Sequence, residues 1–257
     1  MIIMDTPMFV NRPMGDVIPD DKKPSDYLYC HGFRVEPKVG CCDKGNDTKE
    51  ERVVIVKNDD GYMVYNRQGN PYSKDMPTAV LDKLKPLSYQ HKVFDCGFFP
   101  QSKNLVVYGL PRHVDDDPMS YLEMRRVLEA YLPISLDIRL TLKFSELYPV
   151  QADGREPDLA DHSSGMVWES TDKDKDPETV TWQRICPYRD ITITLDKPHV
   201  YILPTFKPGP YLDVLWQAMK ECPDTTYEGM VIKPEYRPQI YTDKQSDNKS
   251  WIKIRWR

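Results

Sequence analysis

The sequence predicts an α+β protein with mixed or antiparallel sheets, and three features of the chain support this fold class. Short apolar runs rich in β-branched and aromatic residues recur along the chain, separated by turn signals. The 257 residues include 23 prolines, which interrupt both helices and sheet ladders. Apolar residues at helical spacing occur in only a few stretches. The length suits one large domain, residues 1–257.

The first half of the chain predicts five strands and two helices. The run FRVEPKV (33–39) is typical of a strand, and ERVVIVKNDDGYMVYNRQG (51–69) of a hairpin turning at Asn-Asp-Asp-Gly. The other elements of this half are a short helix at 77–86, strands at 92–99 and 103–110, and a helix at 118–132. Three aspartates, Asp115 to Asp117, precede the last helix, where acids favour a helix N-terminus.

The second half begins with a polar, proline-bearing stretch at 150–190, which indicates an insertion outside the core. Regular structure is expected again at 190–206, followed by a helix at 210–222 and a strand, YEGMVIKP (227–234). In a regular strand, Glu228 and Lys233 point to opposite faces. Both can reach one cleft only if the strand twists or one acts from the rim.

Composition and charge favour an intracellular protein, cytoplasmic or nuclear. The net charge of −5 gives no overall basic signature of nucleic-acid binding, although local basic patches remain compatible with it. No apolar run reaches the length of a membrane span, and the N-terminus lacks the pattern of a signal peptide. Reduced cysteines are expected, with a zinc site at Cys30, His31, Cys41 and Cys42 as the less favoured alternative.

Charged residues recur inside otherwise apolar strands along the whole chain. Cations interleaved with acids on neighbouring strands would build a cleft for polyanionic phosphates and one divalent metal. The residues concerned are Glu36, Lys38, Arg67, Asp95, Glu228, Lys233, Lys253 and Arg255.

The order of these motifs resembles the adenylation domain of ATP-dependent polynucleotide (DNA) ligases, within the covalent nucleotidyltransferase superfamily. The resemblance spans about residues 30–257 and is strongest at YEGMVIKP and SWIKIRWR. The other motifs that carry it are VEPK, NRQGNPY, KVFDCGFF, NLVVYGLPR and MRRVLEAYL. It implies an ATP-grasp-like or DNA-ligase nucleotidyltransferase domain, with antiparallel sheets flanked by helices.

The resemblance also implies roles for individual residues. Lys38 would be the nucleophile that accepts AMP from ATP, while Lys253 and Arg255 would hold the phosphates. Glu228 and Asp95 would bind Mg²⁺. The nucleotide would be contacted by Glu36, Arg52, Arg67, Tyr108 stacked on adenine, and Lys233 on a phosphate.

The chain departs from the family's pattern at two motifs. Lys38 is followed by Val39-Gly40-Cys41, where the family reads Lys-x-Asp-Gly. A competing register would begin at Lys57, but its Asn-Asp-Asp-Gly fits a hairpin turn better. Asp95-Cys96-Gly97 stands where the family reads Asp-Gly-Glu. Both gaps fall where the nucleotide sugar or the metal would be contacted.

The function implied is an ATP-dependent DNA ligase of DNA repair or replication, which seals nicked double-stranded DNA through a lysine–AMP intermediate. RNA is the alternative substrate. The family normally has an OB-fold domain after the last motif, and none is apparent in this sequence. An isolated catalytic core, a truncated chain and a minimal protein whose partner supplies that function are the alternatives, and compact cores of this kind are similar to viral or phage enzymes. Two other readings remain: a degenerate protein that binds nucleotide or nucleic-acid ends without chemistry, and a capping guanylyltransferase, which Glu228 disfavours.

Overall fold

The computed structural model describes residues 9–10, 12–17, 24, 33–39, 50–113, 115–134, 141–142, 167–170, 180–186, 189–190, 200–203, 205, 213, 216–217, 219–220, 227–242 and 247–256. Three helices lie wholly within them, α1 (Thr78–Asp82), α2 (Lys85–Ser88) and α3 (Tyr121–Tyr131). The sixteen strands of the same residues are β1 (Phe9–Val10), β2 (Arg12–Val17), β3 (Phe33–Val39), β4 (Glu51–Lys57), β5 (Tyr62–Asn66), β6 (Val93–Phe99), β7 (Asn104–Gly109), β8 (Arg112–His113), β9 (Thr141–Leu142), β10 (Val167–Ser170), β11 (Val180–Cys186), β12 (Arg189–Asp190), β13 (Val200–Tyr201), β14 (Tyr227–Pro234), β15 (Ile240–Thr242) and β16 (Asp247–Arg255).

The prediction of an α+β, ATP-grasp-like or DNA-ligase nucleotidyltransferase domain with sheets flanked by helices was wrong, because the described chain is mostly β-sheet. Several mainly antiparallel sheets carry the fold, and of the three helices that are described over their whole length only α3 exceeds five residues. The stretch 77–86, expected as one helix, is divided into α1 and the four-residue α2. Pro86 stands at the start of α2, where a proline cannot continue the hydrogen-bonding of a preceding helix.

Two sheets organise the described residues. The first, called here the central sheet, has the order β13-β7-β6-β4-β5 and is antiparallel except where β13 meets β7. The second, called here the lysine sheet because it contains Lys38, has the order β2-β16-β14-β3. It is antiparallel except where β2 meets β16. A three-stranded sheet, β1-β15-β8, and a sheet of β9 to β12 complete the pairings.

The hydrophobic core lies on both faces of the central sheet. One face, with Ile55, Phe94 and Leu105, packs against the three helices. The opposite face meets the lysine sheet, where Val106 and Met230 belong to one buried cluster. All seven residues of β6 are buried, as expected for a strand covered on both sides. This packing places the lysine sheet against the central sheet, whose strands β4 and β6 carry Glu51 and Asp95.

Several local predictions are confirmed. The hairpin of β4 and β5 turns at Asn58–Gly61, where the Asn58 amide donates to the Gly61 carbonyl at 2.9 Å. Helix α3 occupies the interval predicted at 118–132, and its N-terminus is set by a capping box between Ser120 and Glu123. In the predicted helix 210–222, the described positions 213, 216, 217, 219 and 220 are helical.

No helix among the described residues has both the length and the apolar character needed to cross a membrane.

Candidate functional site

Lys38 and Glu228 meet where β3 pairs with β14. Their side chains form an ion pair, with 18% and 19% of their surfaces exposed. The register of the pair shifts between Tyr227 and Gly229, so that Glu228 is the additional residue of a β-bulge. A bulge re-aims a side chain relative to the regular alternation of the strand. The ion pair is therefore partly exposed to solvent.

The bulge resolves the question of which face Glu228 and Lys233 share. Glu228 contacts Lys38, and Lys233 contacts Glu36 at 2.6 Å. Lys38 and Glu36 are two residues apart on β3, so their side chains lie on one face of the lysine sheet. The extra residue at 228 shifts the alternation of β14 and brings both of its charged side chains to that face.

Gly229 allows β16 to approach the bulge closely. Its φ of +154° lies outside the range that L side chains commonly adopt, and an added Cβ would stand 1.9 Å from the carbonyl oxygen of Ile254. The Arg255 guanidinium lies 3.9 Å from Glu228 through Nη1 and Oε2. Glu228 is thus flanked by two cations, Lys38 and Arg255.

Glu36 and Lys233 form a buried ion pair, with 4% and 2% of their surfaces exposed. The Tyr121 hydroxyl donates to Glu36 Oε1 at 2.5 Å, and the Lys233 ammonium lies 4.5 Å from the ring centre of Trp251. Burial lowers the pKa of Lys233, and the Glu36 carboxylate opposes part of that effect. A phosphate contact by Lys233 would require this pair to open, and the binding roles expected of both residues stay predictions.

Asp95, expected as a metal ligand, lies on β6 of the central sheet and is held by two side chains, those of Arg52 and Gln239. Arg52 donates to it through Nε at 2.8 Å and Nη2 at 2.6 Å, and the Gln239 amide donates to the same carboxylate. The Asp95 side chain is 1% exposed. Within the described part of the chain, no group of three or more His, Cys, Asp or Glu residues could hold a metal ion. Glu228 is therefore the better placed of the two carboxylates predicted to bind Mg²⁺.

Arg67, Lys253 and Tyr108 occupy three different settings. Arg67 is exposed in the turn that follows β5, and no described contact joins it to Lys38. Lys253 is partly exposed on β16, two residues before Arg255, opposite Val231 of β14. The half-buried Tyr108 directs its hydroxyl to Glu50, at 3.2 Å. The phosphate and adenine contacts expected of them stay predictions.

Glu50 is a site residue that sequence reasoning missed. Burial raises its pKa from the usual 4.5 to about 7, although the charges of Lys38 and Arg52 and the Tyr108 hydroxyl oppose the rise. In the sequence, Glu50 belongs to the polar run KEER, which is typical of a solvated loop. The sequence feature that could have indicated this contact is Gly97, since a glycine inside a strand often marks a place where another group approaches the backbone closely. A Cβ on Gly97 would lie 2.4 Å from Glu50 Oε1.

The raised pKa of Glu50 gives a pH-dependent prediction for Glu50→Gln. Folding disfavours the charged carboxylate. Below about pH 4.5 Glu50 is protonated in both the folded and the unfolded protein and does not lower the free energy of unfolding, whereas its destabilising effect grows as the pH rises through about 7. The glutamine removes this penalty. The stability of the variant relative to the parent should rise by up to about 3 kcal/mol between about pH 4.5 and pH 8. Urea unfolding of both proteins across this range measures it, and a difference independent of pH would contradict it.

The zinc alternative concerned Cys30, His31, Cys41 and Cys42, which lie outside the described residues. Cys96, on β6, is a buried free thiol, and burial raises its pKa well above the usual value. A protonated, buried thiol of this kind is chemically inert.

Comparison with known proteins finds no family model that matches the chain and no matching curated protein.

Proposed function

We propose that this protein is an ATP-dependent polynucleotide ligase, acting on nicked DNA, in which Lys38 forms the covalent bond to AMP. The observation that carries the proposal is a group of three charged side chains, Lys38, Glu228 and Arg255. They are far apart in sequence but lie together at one bulge of the lysine sheet. A nucleophilic lysine beside a carboxylate and a second cation suits attack on a phosphate ester. The motif resemblance at residues 227–234 and 250–257 supports the same assignment.

The charges of the group fit the steps of such a reaction. The Lys38 ammonium would first lose a proton to solvent, and the neutral amine would then form a bond to the α-phosphorus of ATP while the bond to pyrophosphate breaks. Arg255 and Lys253 would stabilise the negative charge on the transferring group. The AMP would then pass to a 5′-phosphate, and attack of the neighbouring 3′-hydroxyl would seal the strand and release AMP.

Mg²⁺ fits this site only in part. The Glu228 carboxylate is partly exposed, whereas the buried Asp95 is engaged by Arg52 and Gln239. Mg²⁺ in proteins commonly uses one or two carboxylates together with substrate phosphates. Glu228 would hold it with the ATP phosphates, where the ion would neutralise phosphate charge.

The experiment is incubation with α-labelled ATP and Mg²⁺, followed by intact-mass analysis of the parent, Lys38→Ala and Lys57→Ala. We expect the parent and Lys57→Ala to gain the mass of one AMP, and Lys38→Ala to gain none, because the nucleophile is gone. Lys57 is the matched control, since it opens the competing register and lies at the hairpin end of β4.

An adduct that survives in Lys38→Ala but disappears in Lys57→Ala would overturn the assignment. ATP binding without an adduct in the folded parent would favour the degenerate binding protein instead. Supplying pre-adenylated nicked DNA then tests the sealing step alone, and a matching nick in RNA tests the alternative substrate.

A further inference from the structure

Helix α3 contacts the lysine sheet through a buried polar group. The Tyr121 hydroxyl donates to Glu36 Oε1 at 2.5 Å, and Arg125 Nη1 lies 3.5 Å from the same oxygen. The other oxygen of this carboxylate accepts a hydrogen bond from Lys233 Nζ at 2.6 Å. None of these four residues, called here the α3 anchor, is more than 5% exposed. Strand β3 is therefore held at Glu36 both from the helix and from the neighbouring strand β14.

Stability alone is a poor explanation for the α3 anchor. Burial of charged groups carries a desolvation cost, and apolar side chains of similar volume often stabilise a protein as well as a buried ion pair does. A charged group does favour one geometry, because a displaced partner leaves a buried charge without its counter-charge. The α3 anchor thus restricts displacement of β3 relative to α3.

Helix α3 is itself a firm support for β3. Its side chains Met124 and Leu128 lie in the core beneath the central sheet, each 1% exposed. Its N-terminal turn is fixed by the capping box, and the Leu122 amide donates to the Glu235 carbonyl at 3.1 Å. A strand attached to this helix takes its position from the core of the protein.

The α3 anchor lies close to the reactive lysine along β3. Glu36 and Lys38 are two residues apart, so their side chains lie on one face of the strand, roughly 7 Å apart along it. Lys38 is the last residue but one of β3. Its partner Glu228 lies on β14, the strand that the anchor also holds through Lys233. A shift of β3 against β14 would therefore change the ion pair of Lys38.

We propose that Tyr121 and Arg125 are positioning residues which, acting through Glu36, hold β3 where Lys38 pairs with Glu228. The position of Lys38 follows from the described contacts, whereas the effect on a reaction rests on the proposed function. A displacement of about 1 Å can lower the rate of an aligned reaction roughly 100-fold. Loss of one contact of the α3 anchor should lower the rate of adduct formation about tenfold, with the affinity for ATP unchanged.

The test compares the parent with Tyr121→Phe, which removes one hydroxyl and keeps the ring. Tyr72→Phe is the matched control, because the Tyr72 hydroxyl also donates to a carboxylate, that of Glu51 at 2.7 Å. The rate of adduct formation is measured over a series of ATP concentrations. At saturating ATP we expect a rate about tenfold lower in Tyr121→Phe, with the half-saturating concentration within about twofold of the parent's. Tyr72→Phe should match the parent in both quantities.

A second readout needs no nucleotide. Acetic anhydride acetylates neutral amines without requiring alignment, and peptide masses give the acetylation of Lys38 relative to that of Lys57 in the same sample. Loss of the Glu228 contact would favour the neutral amine and expose it. We expect Lys38 to be acetylated several-fold faster in Tyr121→Phe than in the parent, although its adduct forms more slowly. A general loss of structure would raise the acetylation of both lysines.

The two readouts separate the inference from the proposed function. A parent that forms no adduct would overturn the proposed function, while acetylation would still test the position of Lys38. Unchanged acetylation in folded Tyr121→Phe would overturn the inference, as would equal changes in Tyr72→Phe. A higher half-saturating ATP concentration with an unchanged rate would also overturn it. If Tyr121→Phe does not fold, Arg125→Met should give the same pair of opposite changes, and their absence would count against the inference equally.

Discussion

Replacing Glu36 by alanine is expected to lower the free energy of unfolding by about 3–5 kcal/mol, because it leaves the buried Lys233 ammonium without its counter-charge. The Tyr121 hydroxyl loses its acceptor in the same step, and Arg125, 3.5 Å away, loses a negative neighbour. The rings of Trp251 and Tyr121 beside the ammonium replace only part of the lost attraction. Urea unfolding measures the effect.

Two variants make this prediction specific to the buried pair. Lys74→Ala removes a surface ion pair with Glu51 and should cost less than about 1 kcal/mol. The double variant Glu36→Leu, Lys233→Met replaces both charges by apolar groups and should recover much of the stability lost in Glu36→Ala. A loss for Glu36→Ala no greater than that of Lys74→Ala would show that the buried charge finds another partner.

Gly229→Ala is expected to destabilise the protein by about 2–4 kcal/mol and to weaken adduct formation. The backbone at this residue has a φ of +154°, which is strained for alanine, and the new methyl group would stand 1.9 Å from the Ile254 carbonyl oxygen. Relief of this overlap requires β16 to move away from β14. Arg255 would then move away from Glu228, so the site and the stability should be lost together.

Gly61→Ala is the matched control, because Gly61 has a similar φ of +146° but no atom within 4 Å of an added Cβ. It carries the backbone strain without the overlap, and should cost about 1–2 kcal/mol with adduct formation unchanged. Unfolding curves and intact-mass measurements on both variants separate the two causes. Equal losses for both would assign the whole effect to backbone strain.

Local structure was predictable from the sequence where a short stretch contains its own signal. The hairpin at 51–69 and helix α3 were found because turn chemistry and helical periodicity lie within a few neighbouring residues. The α+β prediction was wrong, because strands predominate in the described chain and the helix expected at 77–86 is divided into segments of five and four residues. The length of a helix in a folded protein depends mostly on its packing partners, which no short stretch of sequence specifies.

The sequence indicated several residues of the candidate site, but it did not indicate which side chains contact each other. Lys38, Glu228 and Arg255 were all singled out, and strand pairing brings them together. The burial of Lys233 depends on Glu36, which is 197 residues away, so nothing local distinguishes it from a surface lysine. The position of Glu50 likewise depends on Gly97 and Tyr108, which lie on other strands. Side chains of this kind acquire their role only from tertiary contacts.

The long sequence separations within the site have a consequence during synthesis. Lys38 and Glu228 are 190 residues apart, and a ribosome adding about 5–20 residues per second needs roughly 10–40 s to cover that interval. Throughout this time the emerging chain contains Lys38 without the carboxylate of Glu228. Strand β3 also lacks β14, its partner in the lysine sheet, until the same moment. The unpaired edge of β3 makes this interval the one in which chaperones protect the nascent chain most usefully.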